Sequence, residues 1–151
     1  MGIRRRAREL AMQALFYMDM QRDEPSEMLD SYCKCYPVSK KAFSFFHKLV
    51  TGVLAAKPEI DGIIERHSSN WKIGRMPCVD RNIMRIAVYE IMFCEDIPSK
   101  VSINEAIDVG KKFGSEDSGA FINGILDSIR LAIEEGWVSK SDMKIRLEET
   151  Q

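Results

Sequence analysis

The sequence predicts an all-α protein of about seven helices. Through most of the chain, apolar residues recur at the three- and four-residue spacing of an amphipathic helix. No five-residue segment alternates apolar and polar side chains between turn residues, as a half-buried strand would. The connections between the helical segments are short, which is typical of helices packed side by side in one domain.

The N-terminal half contains four predicted helices. The first covers about residues 3–21, and Pro25 marks its end because proline disfavours helical geometry in the residue before it. A short second helix follows Ser26, and a third follows Ser39. A fourth helix is expected to carry Pro58 in its first turn, where a missing N–H is tolerated.

Three further helices are predicted in the C-terminal half. The first, over residues 79–93, is apolar on nearly all sides, which predicts a central and buried position. Ser102 and Glu105 have the spacing of a capping box, so the next helix is expected to start at Ser102. Gly114 suits a left-handed C-terminal cap. The last helix has its apolar stripe over residues 122–133.

The whole chain, residues 1–151, is expected to form a single domain. A predicted linker at residues 71–77 divides the chain near its middle, which suggests subdomains of about residues 1–70 and 76–136. Residues 137–151 form a mostly charged tail.

The positive charge of the chain is concentrated at its N-terminus. Four arginines lie within the first eight residues, and removing four positive charges from the net charge of −1 leaves −5 for the remainder. Such localised charge favours an oriented contact with a polyanion over diffuse adhesion.

Several other classes of protein are disfavoured. The chain has no phosphate-binding glycine loop, zinc-protease or serine-hydrolase motif, and its two histidines lie on or near separate predicted helices. Its four cysteines lack the spacing of a zinc site. No apolar run approaches the roughly 18 residues that span a bilayer. We therefore expect a cytoplasmic protein without catalytic residues, cofactor, metal or membrane contact.

The first helix carries the arginines and also an apolar stripe. Arg4, Arg5, Arg6 and Arg8 fall mainly off that stripe, so one face can dock on the core while the other offers guanidinium groups to phosphate oxygens. The alternative is a solvated basic helix end that Glu9 partly neutralises.

Three residues near the end of the chain are candidates for contacts with nucleobases. Phe113 and Phe121 could stack on bases, and Asp117 between them could accept a hydrogen bond from a base amino group. Spacing alone favours a structural role for all three, as core aromatics and a helix cap.

Four stretches together resemble the NusB family of bacterial transcription antitermination proteins, over about residues 3–133. They read RRRARELAMQALF at 4–16, FFHKLVTGV at 45–53, DRNIMRIAVYE at 80–90 and VSINEAIDVGKKFGSEDSGAFINGILD at 101–127. The resemblance implies a non-catalytic all-α protein of two helical subdomains. Family members bind the boxA element of ribosomal RNA transcripts as single-stranded RNA, together with the ribosomal protein NusE. They join other Nus factors on RNA polymerase and suppress premature termination.

The resemblance also implies roles for individual residues. Asp80 matches an acidic position on the surface that the family uses for NusE, and the chain departs from the family at Gly119–Ala120, where many members have a lysine. A helical protein-interaction module with an incidental basic end remains the alternative, and the free protein could be a monomer or a homodimer. The RNA-binding residues implied by the resemblance are Arg4, Arg5, Arg6, Arg8, Gln13, Phe113, Asp117 and Phe121.

Overall fold

The computed structural model describes residues 2–21 and 25–138, and within them the fold is entirely helical. This confirms the predicted all-α class. Of the predicted charged tail, only residues 137 and 138 are among the described ones. The elements are α1 (Ile3–Met20), α2 (Pro25–Cys35), α3 (Lys40–Arg66), a single 3₁₀ turn (Ile73–Arg75), α4 (Cys78–Phe93), α5 (Ser99–Phe113) and α6 (Ser118–Glu134).

Helix α4 is the centre of the structure, as its apolar pattern predicted. It packs against α1, α3, α5 and α6, and residues 82–88 are all buried. One hydrophobic cluster joins side chains from all six helices. The division into two subdomains therefore stays a prediction. None of the helices described combines the length and the apolar character needed to cross a bilayer.

The prediction of separate third and fourth helices is wrong, because α3 continues through Pro58 for 27 residues. A proline inside a helix lacks the N–H that would bond the carbonyl four residues earlier and costs about 3 kcal/mol. The apolar stripe nevertheless continues past it, and each fully buried isoleucine contributes roughly 1.5–3 kcal/mol. Burial therefore outweighs the proline. The buried positions on both sides are Val53, Ala56, Ile60, Ile63 and Ile64.

The predicted capping box at Ser102 is also wrong. Helix α5 begins at Ser99, directly after Pro98, so Ser102 lies inside the helix. Its side chain is buried and its hydroxyl donates to Oε1 of Glu90 at 3.0 Å. The sequence pattern identified a helix start within a few residues, but Ser102 serves a contact between helices.

A polar network that the sequence did not reveal fixes the C-terminal end of α1 to α4. Oδ2 of Asp19 accepts hydrogen bonds from Arg81 (3.0 Å), Asn82 (2.9 Å) and Arg85 (2.8 Å). Arg85 also donates to both carboxylate oxygens of Asp61. Burial raises the pKa of Asp19, but the charge of Arg85 and the hydrogen bonds from Asn82 and Arg81 outweigh it and lower that pKa to about 2.

Candidate nucleic-acid interface

The first turns of α1 lie beside α5 and the loop that precedes it, and there two arginines pair with acidic side chains. Arg4 contacts Asp96 at 3.0 Å, and Arg5 contacts Glu105 at 2.7 Å and Asp108 at 2.8 Å. The side chains of Arg4 and Arg5 are 54% and 38% exposed. Exposed ion pairs contribute only about 0–1 kcal/mol, so Arg4 can exchange its carboxylate for a phosphate at little cost. Arg5 donates to both oxygens of the partly buried Glu105, so the same exchange costs more there.

Arg8 differs, because its guanidinium is buried between helices. It donates to both carboxylate oxygens of Glu90, with Nε–Oε2 at 2.9 Å and Nη2–Oε1 at 2.7 Å. The two side chains are only 6% and 1% exposed. The ring of Phe45 lies against the guanidinium groups of both Arg4 and Arg8, at 5.2 and 5.3 Å. The expectation that Arg8 offers its charge to solvent is therefore wrong, and in this structure it anchors α1 to α4.

Arg6 is exposed and lies at the start of a chain of contacts that reaches the end of α5. Its Nη1 contacts Oε1 of Glu9 at 3.3 Å, and Nζ of Lys112 contacts Oε2 of the same carboxylate at 3.0 Å. The Lys112 ammonium lies 5.3 Å from the ring centre of Phe113. Glu9 thus brings the arginine helix next to Phe113, about a hundred residues away in sequence. Gln13 is half-buried two turns further along α1.

The other two predicted base contacts lie at an open cavity of about 230 Å³ at the start of α6. Phe121 is half-buried and packs edge-on against Trp71, with ring centroids 5.7 Å apart. Asp117 is exposed, and its carboxylate makes no capping hydrogen bond, so the capping interpretation is wrong.

Sequence reasoning missed Trp71, which is 48% exposed within the predicted linker. A large aromatic residue at the start of a predicted linker was the available signal.

Asp80 also lines this cavity, but the structure buries it. The residue is 3% exposed and accepts a hydrogen bond from the Ser118 hydroxyl at 2.7 Å, which joins the starts of α4 and α6. Burial raises the pKa of Asp80, and the hydrogen bond from Ser118 acts in the opposite direction. A direct contact between this carboxylate and a protein partner, as the resemblance implied, does not fit this position.

The turn between α5 and α6 is tight at Gly114. Its backbone is extended (φ −96°, ψ −157°), so the predicted left-handed cap is wrong. Glycine is needed for a different reason, since a Cβ at this position would overlap the Oγ of Ser118. That Oγ also accepts a hydrogen bond from the backbone N–H of Ser115 at 2.9 Å, so the turn and the cavity wall are held together.

The chain is similar to proteins of one family over most of its length. A model described as the NusB family matches residues 5–130. The transcription antitermination protein NusB of Desulfatibacillum aliphaticivorans is 59% identical over 131 residues, which cover 87% of this chain and 92% of that protein. The protein of the same description from Geobacter sulfurreducens is 51% identical over 130 residues, covering 85% and 94% of the two chains.

Two solved structures extend the similarity to the fold. T. maritima NusB superimposes with a TM-score of 0.73 at 39% identity, covering 83% of this chain and 89% of that one. A chain from the crystal structure of the antitermination factors NusB and NusE in complex with dsRNA gives a TM-score of 0.76 at 30% identity. That match covers 86% of this chain and 97% of the other.

Proposed function

Because this chain belongs to the NusB family, we propose that it is a non-catalytic, RNA-binding transcription antitermination factor that works with a NusE-type ribosomal protein. The observation that carries the proposal is the placement of three partly exposed arginines at the start of α1, next to Lys112 and Phe113. The RNA is a boxA-type single strand from a ribosomal RNA transcript. The resulting complex joins other Nus factors on RNA polymerase in the cytoplasm.

Each group in the interface has a distinct task. Arg4 and Arg5 exchange their carboxylate partners for phosphate oxygens and so hold the RNA backbone. Arg6 can do the same while Lys112 stays on the buried Glu9. Phe113 and Phe121 offer ring faces or edges for unstacked bases, which is how single-stranded RNA is commonly recognised. The Asp117 carboxylate does not cap α6, so it can accept a hydrogen bond from a base amino group. The side-chain amide of Gln13 can donate a hydrogen bond to the RNA or accept one from it.

Two of the residues implied by the resemblance take indirect roles in this proposal. Arg8 is a positioning residue, since its bidentate pair with Glu90 fixes the angle at which α1 presents the exposed arginines. Asp80 supports the binding of the NusE-type partner by holding the starts of α4 and α6 together through Ser118.

The salt dependence of RNA binding tests the proposal. Each phosphate contact to a single strand contributes a slope of about −0.7 in a plot of log K against log salt concentration, so three arginines predict a slope near −2. If the buried Arg8 also contacted a phosphate, the four arginines together would give a slope of nearly −3. Binding of a boxA-type RNA is measured for the wild type and for the triple variant Arg4→Ala, Arg5→Ala, Arg6→Ala, with a scrambled RNA as control. A wild-type slope near zero, or full affinity in the triple variant, would contradict the proposal.

One observation favours the second candidate function, a protein-interaction module without direct RNA contact. Each of the four N-terminal arginines has a carboxylate within 4 Å, so much of the positive charge is balanced within the protein. The two functions differ in linkage. If RNA binds the heterodimer better than it binds either subunit, boxA-type RNA must raise the affinity for the NusE-type partner by the same factor. A high affinity for the NusE-type partner that does not change when RNA is added would support the second function.

A further inference from the structure

The exposed face of α1 continues well beyond the arginines. Arg6, Gln13 and Tyr17 are spaced by seven and four residues, so they lie on one face of the helix. At 1.5 Å per residue, that face extends about 16 Å from Arg6 to Tyr17. Arg6 is exposed, Gln13 is half-buried and Tyr17 is 37% exposed, so none of the three belongs to the closed core.

Three tyrosines form a connected cluster at the far end of this face. Tyr32 of α2 is buried, and its ring centroid lies 5.5 Å from that of Tyr17 and 4.9 Å from that of Tyr36. Tyr36 is 58% exposed, directly after α2. Burial raises the pKa of Tyr32, while the charge of Arg6 acts in the opposite direction. Tyr17 shares a face of α1 with Arg6 and contacts the ring of Tyr32, so it connects the arginine site to the tyrosine cluster.

The cations next to Tyr36 differ from those of α1. Lys34, Lys40 and Lys41 are exposed, and none of them pairs with a carboxylate in the part of the chain that the structure describes. Of the exposed acidic residues of α2, Glu27 lies in its first turn and Asp30 at its midpoint, four residues before Lys34. The turn between α2 and α3 therefore combines three exposed lysines with an exposed aromatic ring.

We propose that the surface made of Tyr17, Tyr36 and the lysines 34, 40 and 41, with the buried Tyr32 packed between the two tyrosine rings, is a second contact site for single-stranded RNA that extends the arginine site along α1. The inference rests on the proposed RNA-binding function. Exposed rings give bases a stacking surface, and unpaired lysines attract the backbone without selecting sequence. The site is expected to bind nucleotides that flank the boxA element and to contribute affinity more than specificity.

Substitution at Tyr36 tests the inference directly, because its exposed side chain can be removed without opening the core. The probe is a boxA-type RNA carrying extra nucleotides on both sides. Tyr36→Ala is expected to weaken binding roughly 5- to 150-fold, the usual range for one lost base stack. Tyr36→Phe keeps the ring and should bind within about twofold of the wild type. Changing Lys34, Lys40 and Lys41 together to glutamine should reduce the salt slope by roughly 2.

The outcomes separate this site from the arginine site. Wild-type affinity in Tyr36→Ala, alongside lost affinity in the triple arginine variant, would overturn the second site and leave the proposed function intact. If the wild type does not bind the RNA at all, both fail. If Tyr36→Ala weakens binding of the NusE-type partner but not of RNA, the surface is a protein contact and the inference is wrong. If Tyr36→Phe binds RNA as weakly as Tyr36→Ala, the stacking role of the ring is wrong. Thermal unfolding of each variant checks that the fold is unchanged.

Discussion

Replacing Arg8 with alanine should destabilise the protein far more than replacing its neighbour Arg6. The Arg8 guanidinium makes two hydrogen bonds to Glu90, and both side chains are almost fully enclosed. In Arg8→Ala the Glu90 carboxylate would remain buried with only the Ser102 hydroxyl as a donor. Arg6 is half-exposed and makes one i,i+3 contact at 3.3 Å to Glu9, which is buried. In Arg6→Ala the Glu9 carboxylate keeps its two contacts to Lys112, at 3.0 and 3.3 Å.

The two magnitudes follow from burial. Removing one partner of a buried ion pair typically costs about 3–5 kcal/mol, because the other charge is left without compensation. Removing the half-exposed Arg6 leaves Glu9 compensated by Lys112, so we expect only the cost of a weak ion pair, about 0–1 kcal/mol. For a domain of this size, 1 kcal/mol corresponds to roughly 2–4 °C in Tm, so Arg8→Ala should lose about 6–20 °C and Arg6→Ala at most about 4 °C.

Thermal and urea unfolding of both variants measure this difference, and RNA titrations separate stability from binding. Below its lowered Tm, Arg8→Ala should keep most of the salt slope of RNA binding, whereas Arg6→Ala should lose about 0.7 of it. The double variant Arg8→Met, Glu90→Leu removes both charges and should recover much of the lost stability.

The opposite pattern would contradict the anchoring role of Arg8. If Arg8→Ala unfolds within about 2 °C of the wild type but loses RNA affinity, its guanidinium contacts RNA and does not anchor α1. If the double variant is no more stable than Arg8→Ala, the cost does not come from the uncompensated charge of Glu90.

Three further predictions concern the scaffold and the cavity. Asp19→Asn should cost about 2 kcal/mol at pH 7, since the pKa of Asp19 lies near 2 when folded and near 3.8 otherwise. That contribution is present above about pH 4 and is lost as the pH falls towards 2. In urea titrations, the difference in free energy of unfolding between Asp19→Asn and the wild type should therefore be smaller at pH 3 than at pH 7. Gly114→Ala should cost about 1–3 kcal/mol through overlap with Ser118, while Gly124→Ala, with open space around it, should be neutral or stabilising in thermal unfolding. Phe121→Ala should weaken RNA binding by about 1–3 kcal/mol; unchanged affinity with a lower Tm would make it a core residue.

Apart from the continuation of α3 through Pro58, the sequence alone was sufficient to predict the helices and the central position of α4. Helical hydrogen bonds join residues four apart, so the apolar spacing that stabilises a helix is itself a local pattern. The effect of a proline on the residue before it is also local, so the predicted break between α1 and α2 lies close to Pro25. The positions of the arginines on α1, and their concentration at one end of the chain, were equally visible in the sequence.

The burial of individual charges depended on the tertiary structure. Arg8 and Glu90 are separated by 82 residues, and nothing in the spacing of either helix indicates that they meet. The same holds for Asp80 with Ser118, and for Trp71, which reaches Phe121 only because the segment after α3 lies beside α6.

Local signals also had more than one structural outcome. Pro58 was compatible with a helix start or with a buried helix interior, and Ser102 with a cap or with a contact to a neighbouring helix. Burial against the other helices decided both, because several kcal/mol of packing outweigh the one or two that a cap contributes and roughly three for an internal proline. Local patterns in the sequence thus predicted most of the helical segments and the position of the arginines. Which of those arginines face solvent depends on the neighbours that cover each helix face, and therefore on the tertiary fold.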